Sequence, residues 1–283
     1  MGLSASVSVI GLETSTLGPN LYRDGGGGAS IDGTHIVWYS DGIWTKGGPP
    51  TASLSNWLNF TSNSIALCAY QGAEINDMFD FGTAAKGPNQ QVPYFYDGEE
   101  TDSSHGIWPN QNLVTLCNGG CAVGFPEVIK RHGSGEGSLV YNTAVKIELD
   151  AYGPIVTRPV KALFNTGEPA YGSFASYCGL DGYIYMYAKI TQTSASNGLK
   201  LARVSHTEYH LRAQYQYWNG NAWVDQIPDY SDGAANAFSW SQNWFGEEYG
   251  PGYGEVLWSE VSQTYLLLFQ SAAVALDENR QYP

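Results

Sequence analysis

Short runs of aromatic and β-branched residues, separated by glycine-bearing turns, constrain this chain most, because that pattern suits antiparallel strands and little else. The segments "SIDGTHIVWYSD", "YCGLDGYIYMYAKI", "YQYWNGNAWV" and "YGEVLWSEVSQTYLLLF" each read as a hairpin, three of them turning on Asp-Gly or Asn-Gly. Between them "NSIALCAY", "NLVTLC", "SLVYNTAVKIEL" and "LKLARV" read as strands. Apolar residues rarely recur at helical spacing over three turns, so the amphipathic helices of a doubly wound fold are missing. The expectation is an all-β protein, a propeller of repeated antiparallel units or, failing that, a sandwich. No proline-rich or serine-rich linker divides the sequence, so residues 1–283 are expected to form one domain, with 1–20 as its N-terminal segment.

A chain of 283 residues that is 43% hydrophobic can bury a sizeable core. Its formal net charge of -14 argues against nucleic acid as a partner, since phosphates call for a basic face. No stretch approaches the roughly 20 apolar residues that span a bilayer, so no membrane partner is expected. The start "MGLSASVSVIGLETSTLG" lacks the basic head and apolar centre of a signal peptide, which implies a leader removed or never there. The sequon "NFT" at Asn59 suits a secreted protein, and an extracellular location is the expectation. Cys117 and Cys121 in "CNGGC" either close a small loop as a disulfide or remain buried thiols; neither spacing nor neighbours suit zinc.

The run "LYRDGGGGASIDGTHIVWYSDG" yields a geometric prediction. A two-residue turn at Asp32 and Gly33 opposes residues whose numbers add to 65, so Asp24 faces Asp41. Directly opposed residues share a face with Cβ atoms roughly 4.5–5.5 Å apart, and two carboxylates so placed repel. Such a pair is tolerated where it binds a cation, shares a proton or performs acid/base work, and glycosidases use carboxyl pairs in this way. Gly25 and Gly26, without side chains, would let a ligand or a neighbouring backbone approach the pair; the plainer reading is a bulged loop with two solvated aspartates.

Further candidates surround this pair. Trp44 and Trp108 could present ring faces to a sugar or pack between strands, and His105 near Trp108 could serve the site or merely decorate a loop. A third carboxyl could come from Glu127, Glu168 in the turn-rich "NTGEPAYGS", or Asp181 in an Asp-Gly turn, where a structural role is the simpler account. His206 and His210 lack the glutamate of a zincin motif, and neither a nucleophile elbow nor a phosphate loop is found. No cofactor or metal is expected, apart from a Ca²⁺ that oxygen ligands at the acid pair would suit.

In order along the chain, "RDGGGGASIDGTHIVWYSD", "FTSNSIAL", "GIWPNQNLV", "YGSFASYCGLDGYIYMYAK", "GLKLARV" and "YQYWNGNAWV" resemble a fungal-type member of the domain of unknown function 4185 family over roughly residues 20–225. That resemblance implies a five-bladed β-propeller related to arabinanase and sialidase-like enzymes, some relatives being endo-D-arabinanases. It places the family's two facing acids on Asp24 and Asp41. Asp41-Gly42 stands where a related propeller typically has Asp-Thr, and the chain stops at Pro283 where the family usually continues through another blade. An incomplete or differently closed ring is therefore expected. The function so implied is a glycoside hydrolase acting on an arabinose-containing or related polysaccharide, the alternatives being a carbohydrate-binding propeller without turnover and a protein-interaction scaffold.

Overall fold

The computed structural model describes residues 15, 17–51, 53–71, 74–83, 87–93, 104–109, 113–132, 136–190, 198–239 and 251–271. Most of the 1–20 segment lies outside them. The described residues form antiparallel sheets joined by turns and three short 3-10 helices, with no α-helix among them.

The chain begins with β1 (Leu21–Arg23), β2 (Gly26–Ile31), β3 (Thr34–Tyr39), β4 (Gly42–Thr45), β5 (Trp57–Thr61), β6 (Ser64–Gln71) and β7 (Glu74–Asp80), then the two-residue strands β8 (Gly82–Thr83) and β9 (Gly87–Pro88). There follow β10 (His105–Trp108), β11 (Val114–Leu116), β12 (Cys121–Gly124), β13 (Glu127–His132) and the long pair β14 (Glu136–Asp150) and β15 (Gly153–Asn165). The last third holds β16 (Ala175–Cys178), β17 (Tyr183–Ile190), β18 (Gly198–Ser205), β19 (Gln216–Trp218), β20 (Trp223–Val224), β21 (Phe238–Ser239), β22 (Pro251–Ser259) and β23 (Thr264–Ser271). The sheets run β1-β4-β5, β2-β3-β6-β7, β10-β13-β14-β12-β11 with β15 on β14, β16-β17-β18-β19-β20 with β21 on β18, β22-β23 and β8-β9. Among the described residues no sheet closes on itself.

All four hairpins read from the sequence are present, and the first has the expected register. Ile31 pairs with Thr34 and Gly26 with Tyr39, both adding to 65. Asp32 and Gly33 adopt φ of 48° and 78°, the left-handed pair that a two-residue hairpin turn needs. Gly26 shows why glycine is used beside this strand. Its φ is 151°, and a Cβ there would lie 2.5 Å from the Trp38 carbonyl oxygen, so the backbone it admits is that of its own partner strand.

Side chains from consecutive sheets form the core. Ile31, Ile36, Trp38 and Ile65 of the β2-β3-β6-β7 sheet pack against Ile107, Ala122, Val128 and Val145 of the next. That sheet's other residues, Val123, Phe125 and Leu163, meet Ile184, Met186, Ala202 and Val204 of the third. Phe174, Leu199 and Val256 join the third to the β22-β23 hairpin. Trp38 is 0% exposed. At ~25 cal/mol per Å² over the roughly 150–250 Å² of such a ring, its burial contributes on the order of 4–6 kcal/mol as an upper value. It anchors the strand that leads into Asp41.

Candidate functional site around Asp41

The N-terminal ribbon belongs to two sheets. After Gly26↔Tyr39 it leaves one sheet, and at Arg23↔Gly42 and Leu21↔Trp44 it enters another, with the same register. Asp24 and Asp41 occupy the crossing. The Asp24 N–H donates to the Asp41 carbonyl at 2.8 Å, and the Ser40 N–H donates to the Asp24 carbonyl at 3.0 Å. The two aspartates are thus backbone partners, and their charges interact. Arg23 and Ser15 fix the entry to this crossing by binding the Asp80 carboxylate, Ser15 Oγ at 2.6 Å.

Asp24 is exposed, whereas the Asp41 side chain is only 25% exposed. The Trp108 Nε1–H donates to Asp41 Oδ1 at 2.9 Å. Arg131 Nη2 lies 3.7 Å from the same oxygen, an ion-pair distance too long for a hydrogen bond. Burial pushes the Asp41 carboxyl above the ordinary aspartate range; Arg131 and the indole N–H oppose that shift, while Asp24 adds to it. The result is a partly desolvated acid beside an exposed one, the asymmetry that acid/base chemistry uses.

Neighbouring strands hold the supporting residues. Trp108 ends β10, and Ser40 Oγ donates to the carbonyl of the next residue, Pro109, at 2.5 Å, tying that strand end to the ribbon. Arg131 lies on β13, its Nε donating to the His105 carbonyl at 3.2 Å and its guanidinium 4.8 Å above the Phe60 ring. A Cβ on Gly106 would come 2.8 Å from Arg131 Nη2, so glycine there leaves the space that the guanidinium fills. Trp108 also pairs directly with Glu127 across β10 and β13, which puts both side chains on one face.

The other expected site residues fall variously. Gly25 and Gly26 lie beside the pair, with φ of 49° and 151°. Trp44 is 5% exposed, its ring packed on Gly18 and Gly87, which fits the packing reading of this residue rather than the open sugar platform. His105 is 9% exposed, with its Nδ1 at 2.8 Å from Ser104 Oγ, and its backbone carbonyl accepts from Arg131 Nε. Glu168 accepts from Arg212 Nη1 and from the Asn165 N–H, each at 2.7 Å, which holds its carboxyl below the usual glutamate range, the Arg212 hydrogen bond contributing most. Asp181 accepts from Tyr185 Oη at 2.7 Å, a turn role. His206 Nδ1 bonds the Gly182 carbonyl oxygen at 2.8 Å. Cys121 is disulfide-bonded, whereas Cys68 and Cys178 form no disulfide. Among the described residues no three His, Cys, Asp or Glu groups gather as metal ligands, and no helix is long and apolar enough to cross a membrane. Sequence reasoning missed Arg131, Phe60 and Ser40, whose contacts reach residues 71 or more positions away for Phe60 and 69 for Ser40.

A family model described as "Domain of unknown function (DUF5005)" matches residues 24–245, from the first aspartate of the pair onward. The resemblance to the 4185 family and its fungal-type branch is not confirmed by that match. No curated protein matches the sequence. Among solved structures, the crystal structure of alpha-L-arabinofuranosidase from Lactobacillus brevis matches with 9% identity and a TM-score of 0.39, over 86% of this chain and 63% of that one. The chain therefore spans less than two thirds of that enzyme's length, and no activity is taken from a likeness of this degree.

Proposed function

The chain belongs to the DUF5005 family, and we propose that it is a carbohydrate-active protein that hydrolyses a glycosidic bond with Asp24 and Asp41. The observation that carries this reading is the crossing of the ribbon, which pairs an exposed aspartate with a partly buried one whose pKa is raised. Asp41, protonated to higher pH than a free aspartate, donates its proton to the leaving oxygen. Asp24 acts from the opposite strand on the anomeric carbon or on the attacking water. Trp108 holds Asp41 in place and offers the remainder of its ring to the sugar.

The wider reading of the chain belongs to the same proposal. Consecutive sheets packed face to face support treating them as blades of one five-bladed propeller. An arabinose-containing or related polysaccharide is the substrate class, an extracellular location follows from it, and any Ca²⁺ would bind through the two aspartates.

Asp41→Asn tests the reading. The variant is expected to keep its fold and lose about 10²–10⁴-fold in release of reducing ends from an arabinan and arabinogalactan panel. Wild-type turnover in the variant would remove Asp41 from the mechanism. The lectin-like reading is favoured by one observation, that Trp108 and Arg131 already hold Asp41 as a fixed acceptor. It predicts saturable glycan binding by the wild type with no reducing ends released.

A further inference from the structure

A cleft lined by Glu127 is linked to the Asp41 site through Trp108, whose indole N–H reaches Asp41 and whose direct strand partner is Glu127. It is a cleft of about 360 Å³, at the lower end of the roughly 300–1,000 Å³ typical of ligand pockets. Glu127, the direct cross-strand partner of Trp108, contributes one wall, with Lys189, Glu168, Ala170, Ser173 and Tyr230 around it. Glu127 and Trp108 share one face of their strand pair, so Trp108 has the Asp41 carboxylate at its ring nitrogen and a residue of the cleft wall as its cross-strand neighbour.

The lining has a particular electrostatic character. Glu168 is neutralised by Arg212, which bonds both of its oxygens. Lys189 interacts with the charge of Glu127, while burial lowers the ammonium's pKa. Glu168 thus has its opposite charge in direct contact, and Lys189 feels the charge of Glu127 within the same wall. A charged ligand would have to break one of these pairs, at the cost of leaving its partner desolvated. Hydroxyl groups can instead accept from Lys189 and donate to Glu127 without separating them, and the Ser173 and Tyr230 hydroxyls add further donors and acceptors.

We propose that this cleft is a second sugar subsite, taking an uncharged monosaccharide unit of the same glycan that Asp24 and Asp41 engage. The inference rests on the carbohydrate reading of that site and adds the selectivity: neutral units are accepted and uronates rejected.

The test uses the full chain carrying Asp41→Asn, titrated calorimetrically with neutral arabino-, xylo- and gluco-tetrasaccharides and with tetragalacturonate. One neutral tetrasaccharide is expected to bind saturably, at least tenfold tighter than tetragalacturonate. Ala170→Phe, which fills the cleft, should weaken that binding at least tenfold. Tyr230→Ala should weaken it several-fold, and serves if the phenylalanine variant does not fold. Equal or tighter binding of tetragalacturonate, no binding of any neutral tetrasaccharide, or undiminished binding in both folded cleft variants would each overturn the proposal. The two readings fail separately. Hydrolysis surviving Asp41→Asn while Ala170→Phe abolishes binding would remove the aspartate mechanism and keep the subsite. Hydrolysis with unchanged KM in Ala170→Phe would remove the subsite and keep the mechanism.

Discussion

Asp41 and Glu168 are both carboxylates with an arginine at hand, yet their proton affinities move in opposite directions. Arg212 meets Glu168 through direct hydrogen bonds, and the Asn165 N–H adds another, so the charged form gains more from its partners than it loses to burial. Arg131 stops 3.7 Å from Asp41, held by the Phe60 ring and the His105 carbonyl. A single indole N–H does the remaining work, and burial wins. A nearby opposite charge is therefore not sufficient to keep a carboxylate ionised. What separates the carboxyl with the lowered pKa from the one with the raised pKa is how many hydrogen bonds its cation makes to it.

Three measurements press on this contrast. The largest effect is expected from Arg131→Met, which removes the strongest influence that lowers the Asp41 pKa. The limb of the pH-rate profile on which activity falls as Asp41 deprotonates should move upward by about one unit or more. A limb that stays in place would assign the titration to another group. Next, Glu168→Gln should cost about 1 kcal/mol at neutral pH by chemical denaturation, since the pair is partly exposed. Because its pKa is lowered, Glu168 contributes stability that is present above the ordinary value of 4.5 and lost as pH falls through its folded value. The gap to wild type should close in acid; a gap independent of pH would mean that the charge is not what stabilises. The smallest effect has the opposite sign. Asp41 has a raised pKa, so its favourable contribution is complete below 3.8 and fades as pH rises through the folded value. Asp41→Asn should gain stability relative to wild type across that rise, and a relative loss would reverse the assignment of burial as the dominant cause.

How far the sequence foretold this site depends on the range of each interaction. The ribbon was legible because a two-residue turn fixes register from within, and Asp32 and Gly33 can hardly form any other. The two readings of Trp44 could not be separated because an aromatic residue looks the same whether its face is open or covered, and Gly87, which packs on it, lies on another strand. Strand β15 escaped notice because Pro154 and Pro159 argue against a ladder; it pairs only with β14, and the register breaks between Val160 and Thr157, where Pro159 sits. Arg131 gave no signal, since "EVIKRH" says nothing about a carboxylate 90 positions earlier, at Asp41. The propeller expectation is met only at the level of packed antiparallel sheets.

The ribbon keeps the same pairing sum from Ile31↔Thr34 to Leu21↔Trp44 across the gap between its two sheets, which makes the acid pair hostage to a remote loop tip. The six-residue strand β2 and the crossing at Asp24 and Gly25 separate Asp32 and Gly33 from the aspartates they align. One amino acid inserted at that tip would turn a carboxylate to the opposite side of the sheet while leaving every atom near the chemistry unmutated. Any effect of such a distant insertion would, mapped onto the surface, point to the tip, although what it moves is the aspartate pair.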